Sequence, residues 1–135
     1  VIDRLIMADN LIMVVDDSPT VVKFVSFTLR SAGYKVLAAC DGMDALEKLS
    51  SSERDVDLII TDLNMPNVDG YEFIKTVREN QRYKNVPIVI LSSEGEEQDK
   101  RLGEDVGASS YLVKPFKPDI LLAEVSRYLK AKQPI

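Results

Sequence analysis

Apolar residues in this chain come in short unbroken runs, and each run stops at a polar residue. Leu11-Ile12-Met13-Val14-Val15 ends at Asp16-Asp17, and Leu58-Ile59-Ile60 passes through Thr61 to Asp62. Ile88-Val89-Ile90-Leu91 ends at Ser92-Ser93, and Tyr111-Leu112-Val113 ends at Lys114-Pro115. Runs of this length between turn-forming residues predict strands buried on both faces. Lys35 to Ala39 reads as a fifth, shorter strand. Between these runs the spacing becomes helical. Ser18-Pro19 offers an N-cap and a proline at the first helical position, where its missing N–H costs nothing. Val22, Val25 and Leu29 follow up to Gly33, placed to end the helix. Asp41-Gly42 opens a second helix with Ala45, Leu46 and Leu49 inward, running out at Ser50-Ser51-Ser52. Tyr71, Ile74 and Val77 mark a third, ending before Pro87. The charged stretch from Glu96 to Val106, anchored by Leu102 and Val106 and stopped by Gly107, predicts a fourth. A fifth runs from Pro118 to about Lys130, burying Leu121, Leu122, Val125 and Leu129. Five strands alternating with five helices predict right-handed βαβ units, hence a single α/β domain with a doubly wound, five-stranded parallel sheet.

Size and composition narrow the function without choosing it. The 135 residues suffice for one core. Residues 10–131 are expected to form the domain, with 1–9 an N-terminal extension and 132–135 a tail. Met7-Ala8-Asp9-Asn10 looks like a natural start, so Val1 to Ile6 reads as an addition upstream of it. A net charge of -5 argues against a nucleic-acid partner, whose phosphates require clustered Lys and Arg. One cysteine and no histidine leave no disulfide framework, and make zinc, haem and Cys-His chemistry improbable. No run approaches the roughly 18 apolar residues of a membrane span. A cytoplasmic protein without membrane insertion is expected. Cys40, Met43 and Tyr71 read as packing residues, whereas Phe24 and Phe27 could be core or surface.

Parallel strands bring their C-terminal ends to one edge, where open α/β sheets bind ligands. Asp16, Asp17, Asp62, Ser92 and Lys114 therefore converge. Three carboxylates a few ångströms apart repel by kcal/mol and need a counter-charge. A divalent cation with oxygen ligands, Mg²⁺ in particular, suits such a set. With Lys114 and the Ser92 hydroxyl, it would also offset the charge of an arriving phosphoryl group. Asp62, held at the end of a rigid strand, is the candidate nucleophile.

Val15-Asp16-Asp17-Ser18, Thr61-Asp62-Leu63-Asn64-Met65-Pro66 with Asp69-Gly70, Leu91-Ser92, and Tyr111-Leu112-Val113-Lys114-Pro115-Phe116 together resemble the signature of response-regulator receiver domains. Most closely they resemble the stand-alone chemotaxis receivers of the CheY type, over about Asn10 to Lys130. The resemblance implies a flavodoxin-like (βα)5 fold and Asp62 as phosphoacceptor. It implies Mg²⁺ held by Asp17, Asp62 and the main-chain carbonyl of Asn64, with Asp16 on a metal-bound water. Lys114 and Ser92 would bind phosphoryl oxygens, and Lys114–Pro115 would be a cis peptide. Ser92 stands where many members have threonine, which keeps the hydroxyl and loses a methyl.

By the same resemblance Ser92 and Tyr111 form a switch. The hydroxyl moves toward the phosphoryl group and the aromatic ring rotates inward, reshaping the surface of the fourth helix, fifth strand and fifth helix. Asn64 and Glu94, each two residues beyond an active group, would tune autodephosphorylation and keep the signal short-lived. The implied protein is a single-domain signalling phosphoacceptor and not an enzyme acting on other substrates. Its phosphodonor is a histidine kinase, its target an output protein such as a flagellar switch component, and its expected state a monomer. A phosphorelay or phosphate-sink receiver is the alternative within the class. Outside it, an aspartyl-phosphate phosphatase of the haloacid-dehalogenase type wants Asp-x-Asp after the first strand, where this chain has Asp16-Asp17-Ser18. A flavodoxin-like cofactor carrier wants a Ser/Thr/Gly-rich phosphate loop there.

Overall fold

The computed structural model describes residues 10–63, 70–93 and 107–129. Five strands, β1 (Leu11–Val15), β2 (Lys35–Ala39), β3 (Leu58–Asp62), β4 (Ile88–Ser93) and β5 (Ser110–Lys114), form one sheet in the order β2-β1-β3-β4-β5. Every pairing is parallel. The described helices are α1 (Pro19–Ser31), α2 (Gly42–Ser51), α3 (Gly70–Glu79) and α4 (Pro118–Leu129). The predicted helix over 96–106 lies outside the described residues.

Local signals start the helices where the sequence places them. The Ser18 side chain accepts from the Val21 N–H at 3.4 Å, and Pro19 begins α1. The Asp41 carboxylate accepts from the Asp44 N–H at 2.8 Å and caps α2. At the far end of α1, Gly33 takes φ of +96°, a conformation only glycine adopts without steric cost.

Two apolar layers sandwich the sheet. On one face Met13, Val15, Ile59, Ile88 and Ile90 pack against α2 and α3 through Ala45, Leu49, Phe73, Ile74 and Val77. On the other, Ile12, Val14, Ile60, Val89 and Leu91 pack against α1 and α4 through Val25, Leu29, Leu121 and Val125. Because β1 and β3 are covered on both sides, all ten of their residues are buried, and no apolar-polar alternation survives in their sequence. The connection from β1 to β2 crosses the sheet in one direction with α1 on one face. Those from β2 to β3 and from β3 to β4 run the other way with α2 and α3 opposite. The reversal opens a crevice at the ends of β1 and β3, where ligands bind in such sheets.

Several side chains depart from expectation. Cys40 is exposed and Met43 is 59 % exposed, so neither packs the core. Both border the turn into α2, where the Asp41 cap orients the helix and an apolar side chain has nothing to cover. Some desolvation, then the negative charges of Asp41 and Asp44, hold the Cys40 thiol above its ordinary pKa. Tyr71 does pack against the core, partly buried. Phe24 and Phe27 both lie at the surface, Phe27 most openly. The largest buried side chain, Tyr83, follows α3 in a turn and takes the Val56 N–H on its hydroxyl at 3.4 Å. Arg78 at the end of α3 donates Nε and Nη2 to the Gly107 carbonyl at 2.9 and 2.8 Å. Gly107 has φ of +111°, and a Cβ there would lie 3.0–3.3 Å from the Arg78 side chain, so the pair fixes how the chain enters β5.

Candidate functional site

Strand register assembles the site. Val15 pairs with Thr61, so Asp16 and Asp62 follow at one level at the ends of β1 and β3. Asp62 pairs with Leu91, placing Ser92 one step beyond, and Ser93 pairs with Lys114. Lys114 thus leaves the sheet above the carboxylates and reaches back over them.

Asp16 is almost wholly buried. Its Oδ1 accepts from the Ser18 N–H at 2.9 Å and its Oδ2 from Lys114 Nζ at 3.1 Å. Asp62 is buried except at its tip; its Oδ1 accepts from the Leu63 N–H at 2.8 Å, and its Oδ2 lies 3.5 Å from Lys114 Nζ. Asp17 is the exposed member. One carboxylate oxygen of each of Asp16, Asp17 and Asp62 lies within 4.8 Å of the others. At that separation each ionised pair repels by about 3 kcal/mol for an effective dielectric near 20. Lys114 offsets one charge of three. The remaining deficit and the all-oxygen donor set fit a hard divalent cation of the Mg²⁺ kind, and fit a soft or imidazole-seeking metal poorly.

Ser92 is 1 % exposed, and its hydroxyl has no hydrogen-bond partner among the described residues. A buried hydroxyl left so costs roughly 1–3 kcal/mol, and a catalytic or binding role is one reason such a group is kept. Register puts Ser92 and Tyr111 on the same face of neighbouring strands, since Tyr111 pairs with Ile90 and Val113 with Ser92. Tyr111 is 38 % exposed at the rim. The Lys114–Pro115 peptide is cis. Asn64 and Glu94 lie outside the described residues. Five of the residues singled out in the sequence therefore meet at one edge, and Tyr111 stands beside them.

Two positions carry more than their motif. The Thr61 hydroxyl donates to the Asp62 carbonyl at 2.9 Å. Gly70, the first residue of α3, donates its N–H to the Leu63 carbonyl at 2.9 Å. A Cβ at Gly70 would lie 2.5 Å from Leu63 Cα and 2.6 Å from the Asp62 carbonyl oxygen. The signal for Thr61 was a lone hydroxyl in an apolar run; for Gly70 it was a glycine where a helix begins.

Residues 12–126 match the family model of the response regulator receiver domain. The chain belongs to that family. Chemotaxis protein CheY1 of Helicobacter pylori is 39% identical over 111 residues, covering 82% of this chain and 89% of that one. The structure of chemotaxis protein CheY4 of Vibrio cholerae superposes with a TM-score of 0.83 at 43% identity, covering 90% of this chain and 99% of that one. The receiver domain of the sensor histidine kinase PA1611 of Pseudomonas aeruginosa, 29% identical with a TM-score of 0.82, covers 90% of this chain and 98% of its own. That receiver is described with a magnesium ion coordinated in its active-site cleft. This receiver domain is thus CheY-like, a signalling module of two-component systems; receivers bind Mg²⁺ at an acidic pocket, and among the described residues Asp16, Asp17 and Asp62 form an acidic cluster. No helix among the described residues is long and apolar enough to cross a membrane.

Proposed function

We propose that Asp62 accepts a phosphoryl group from the phosphohistidine of a histidine kinase, and that the resulting acyl phosphate switches a surface read by a partner protein. The observation that carries this reading is the placement of the Asp62 carboxylate at the crevice mouth with Lys114 Nζ 3.5 Å from its Oδ2. An Asp62 oxygen attacks phosphorus as the bond from phosphorus to the donor nitrogen breaks, and the electron pair stays with the imidazole. Lys114 pairs with a phosphoryl oxygen, and the Ser92 hydroxyl, without a partner among the described residues, donates to another. Mg²⁺, held by Asp17, Asp62 and the Asn64 carbonyl with Asp16 behind a water, would supply the charge neutralisation that phosphoryl transfer demands.

Intact mass after incubation with acetyl phosphate tests this directly. One phosphoryl group is expected on the wild type with Mg²⁺, and none without Mg²⁺ or on Asp62→Asn. Incorporation into Asp62→Asn at the wild-type level would remove Asp62 from the role. The adduct is expected to decay within minutes, because polar side chains such as those of Asn64 and Glu94 would admit the attacking water where bulky apolar ones would shield it; a form stable for hours would contradict that assignment.

Output follows from Ser92 and Tyr111. Movement of the Ser92 hydroxyl toward the phosphoryl group vacates room behind it on the face that Tyr111 shares, and the half-exposed ring turns in. The altered surface includes β5 and α4. Tyr111→Ala is expected to phosphorylate normally yet bind its target equally in both states, as measured by titration with the purified partner. A wild-type gain in affinity on phosphorylation of the mutant would sink the switch. The chemotaxis proteins among the relatives support a chemotaxis role; the form we propose for it is a cytoplasmic monomer acting on a flagellar switch component.

A further inference from the structure

Thr61 is the one polar side chain inside β3 before the terminal aspartate, and it is wholly buried. It pairs with Val15 on one side and Ile90 on the other, which places it on the face covered by α2 and α3, among apolar side chains. A hydroxyl there costs free energy unless bonded, and valine would fill nearly the same volume without that cost. The bond it makes is to the Asp62 carbonyl, at 2.9 Å.

That carbonyl and the Leu63 N–H belong to one peptide group, which is planar and rotates as a unit. At its nitrogen end, the Leu63 N–H holds Asp62 Oδ1 at 2.8 Å. At its oxygen end, Thr61 bonds the carbonyl and Gly70 packs against it. A rotation that frees the carbonyl from Thr61 also swings the N–H away from Oδ1. With the peptide fixed, Oδ1 is engaged and Oδ2 faces Lys114. We propose that Thr61 is a positioning residue that sets the orientation of the Asp62 carboxylate through the Asp62–Leu63 peptide. This rests on Asp62 being the phosphoacceptor. Thr61 is β-branched and therefore stiff about χ1, so its hydroxyl is aimed at little entropic cost. Displacements near 1 Å at a reacting group can cost about a hundredfold in rate.

The test compares Thr61→Val, which keeps the shape and removes the hydroxyl, with Thr61→Ser, which keeps the hydroxyl and removes a methyl. Phosphoryl incorporation from phosphoramidate is followed at saturating Mg²⁺, the Leu63 amide proton is followed by NMR without donor, and unfolding midpoints are taken in urea. Thr61→Val is expected to slow incorporation by about tenfold or more and to shift the Leu63 amide upfield as its bond to Oδ1 weakens. Thr61→Ser is expected to stay within about twofold of wild type on both readouts. If Thr61→Val unfolds, Thr61→Ala carries the same comparison. Incorporation by Thr61→Val at the wild-type rate overturns the proposal, as does a Thr61→Ser variant equally slow, which would assign the effect to packing. A folded wild type that takes no phosphoryl group refutes the role of Asp62 instead, and the Leu63 amide then still decides the positioning.

Discussion

Replacing Lys114 with methionine is expected to destabilise the metal-free protein by roughly 3 kcal/mol, the range for removing one partner of a buried ion pair. Lys114 Nζ lies 3.1 Å from Asp16 and 3.5 Å from Asp62, and Asp16 has almost no contact with solvent. Without the ammonium, the three carboxylates within 4.8 Å of one another lose the cation that bonds Asp16 and pairs with Asp62. A Mg²⁺ ion held by this cluster would offset the same negative charge, so it should stabilise Lys114→Met more than wild type, by an amount that grows with the logarithm of its concentration above Kd. Urea denaturation in EDTA and in excess Mg²⁺ measures both effects. Phosphoryl incorporation should fall by a further two to three orders of magnitude, on the order of what removing one preorganised charge-stabilising donor costs. Equal stability of mutant and wild type in EDTA would mean that Lys114 does not hold the cluster together.

Gly70→Ala is expected to be nearly as severe for a different reason. The new methyl would stand 2.5 Å from Leu63 Cα and 2.6 Å from the Asp62 carbonyl oxygen, both backbone atoms that cannot swing aside. Either α3 withdraws from the sheet or the Asp62–Leu63 peptide moves. Overpacking of this kind costs typically about 1–3 kcal/mol. The peptide also orients Asp62, so phosphoryl incorporation should drop by about tenfold to a hundredfold even where the protein is fully folded. Unfolding curves and incorporation kinetics on the same preparation separate the two effects. A stable variant with wild-type kinetics would show that α3 can retreat without disturbing Asp62.

Much of this protein can be read along the chain. Strands β1, β3 and β4 announce themselves as apolar runs because burial on both faces removes any need for polar residues until the strand reaches the crevice. The same physics marks the candidate site, since Asp16, Asp62, Ser92 and Lys114 are the points where each apolar run gives way to a polar side chain at the crevice edge. Caps are local too: Ser18 and Asp41 bond amides three residues away, so their helices start where the sequence says. Cys40 and Met43 were harder, because an apolar side chain beside a cap carries no sign of whether anything lies above it.

What the sequence determined by itself was where strands and helices start and stop, because apolar runs and caps act within a few residues, and from that alternation the parallel sheet and the groups at its edge follow. Tertiary structure decided which oxygen of Asp62 is engaged, that Lys114 sits on Asp16 as closely as on Asp62, and that the Ser92 hydroxyl is left without a described partner. It also decided that Arg78 would grip Gly107 and that Gly70 could carry no side chain. These depend on packing around groups held at separations of about 3 Å, where a shift of one ångström makes or breaks the interaction. Periodicity specifies faces and ends, and only packing specifies distances.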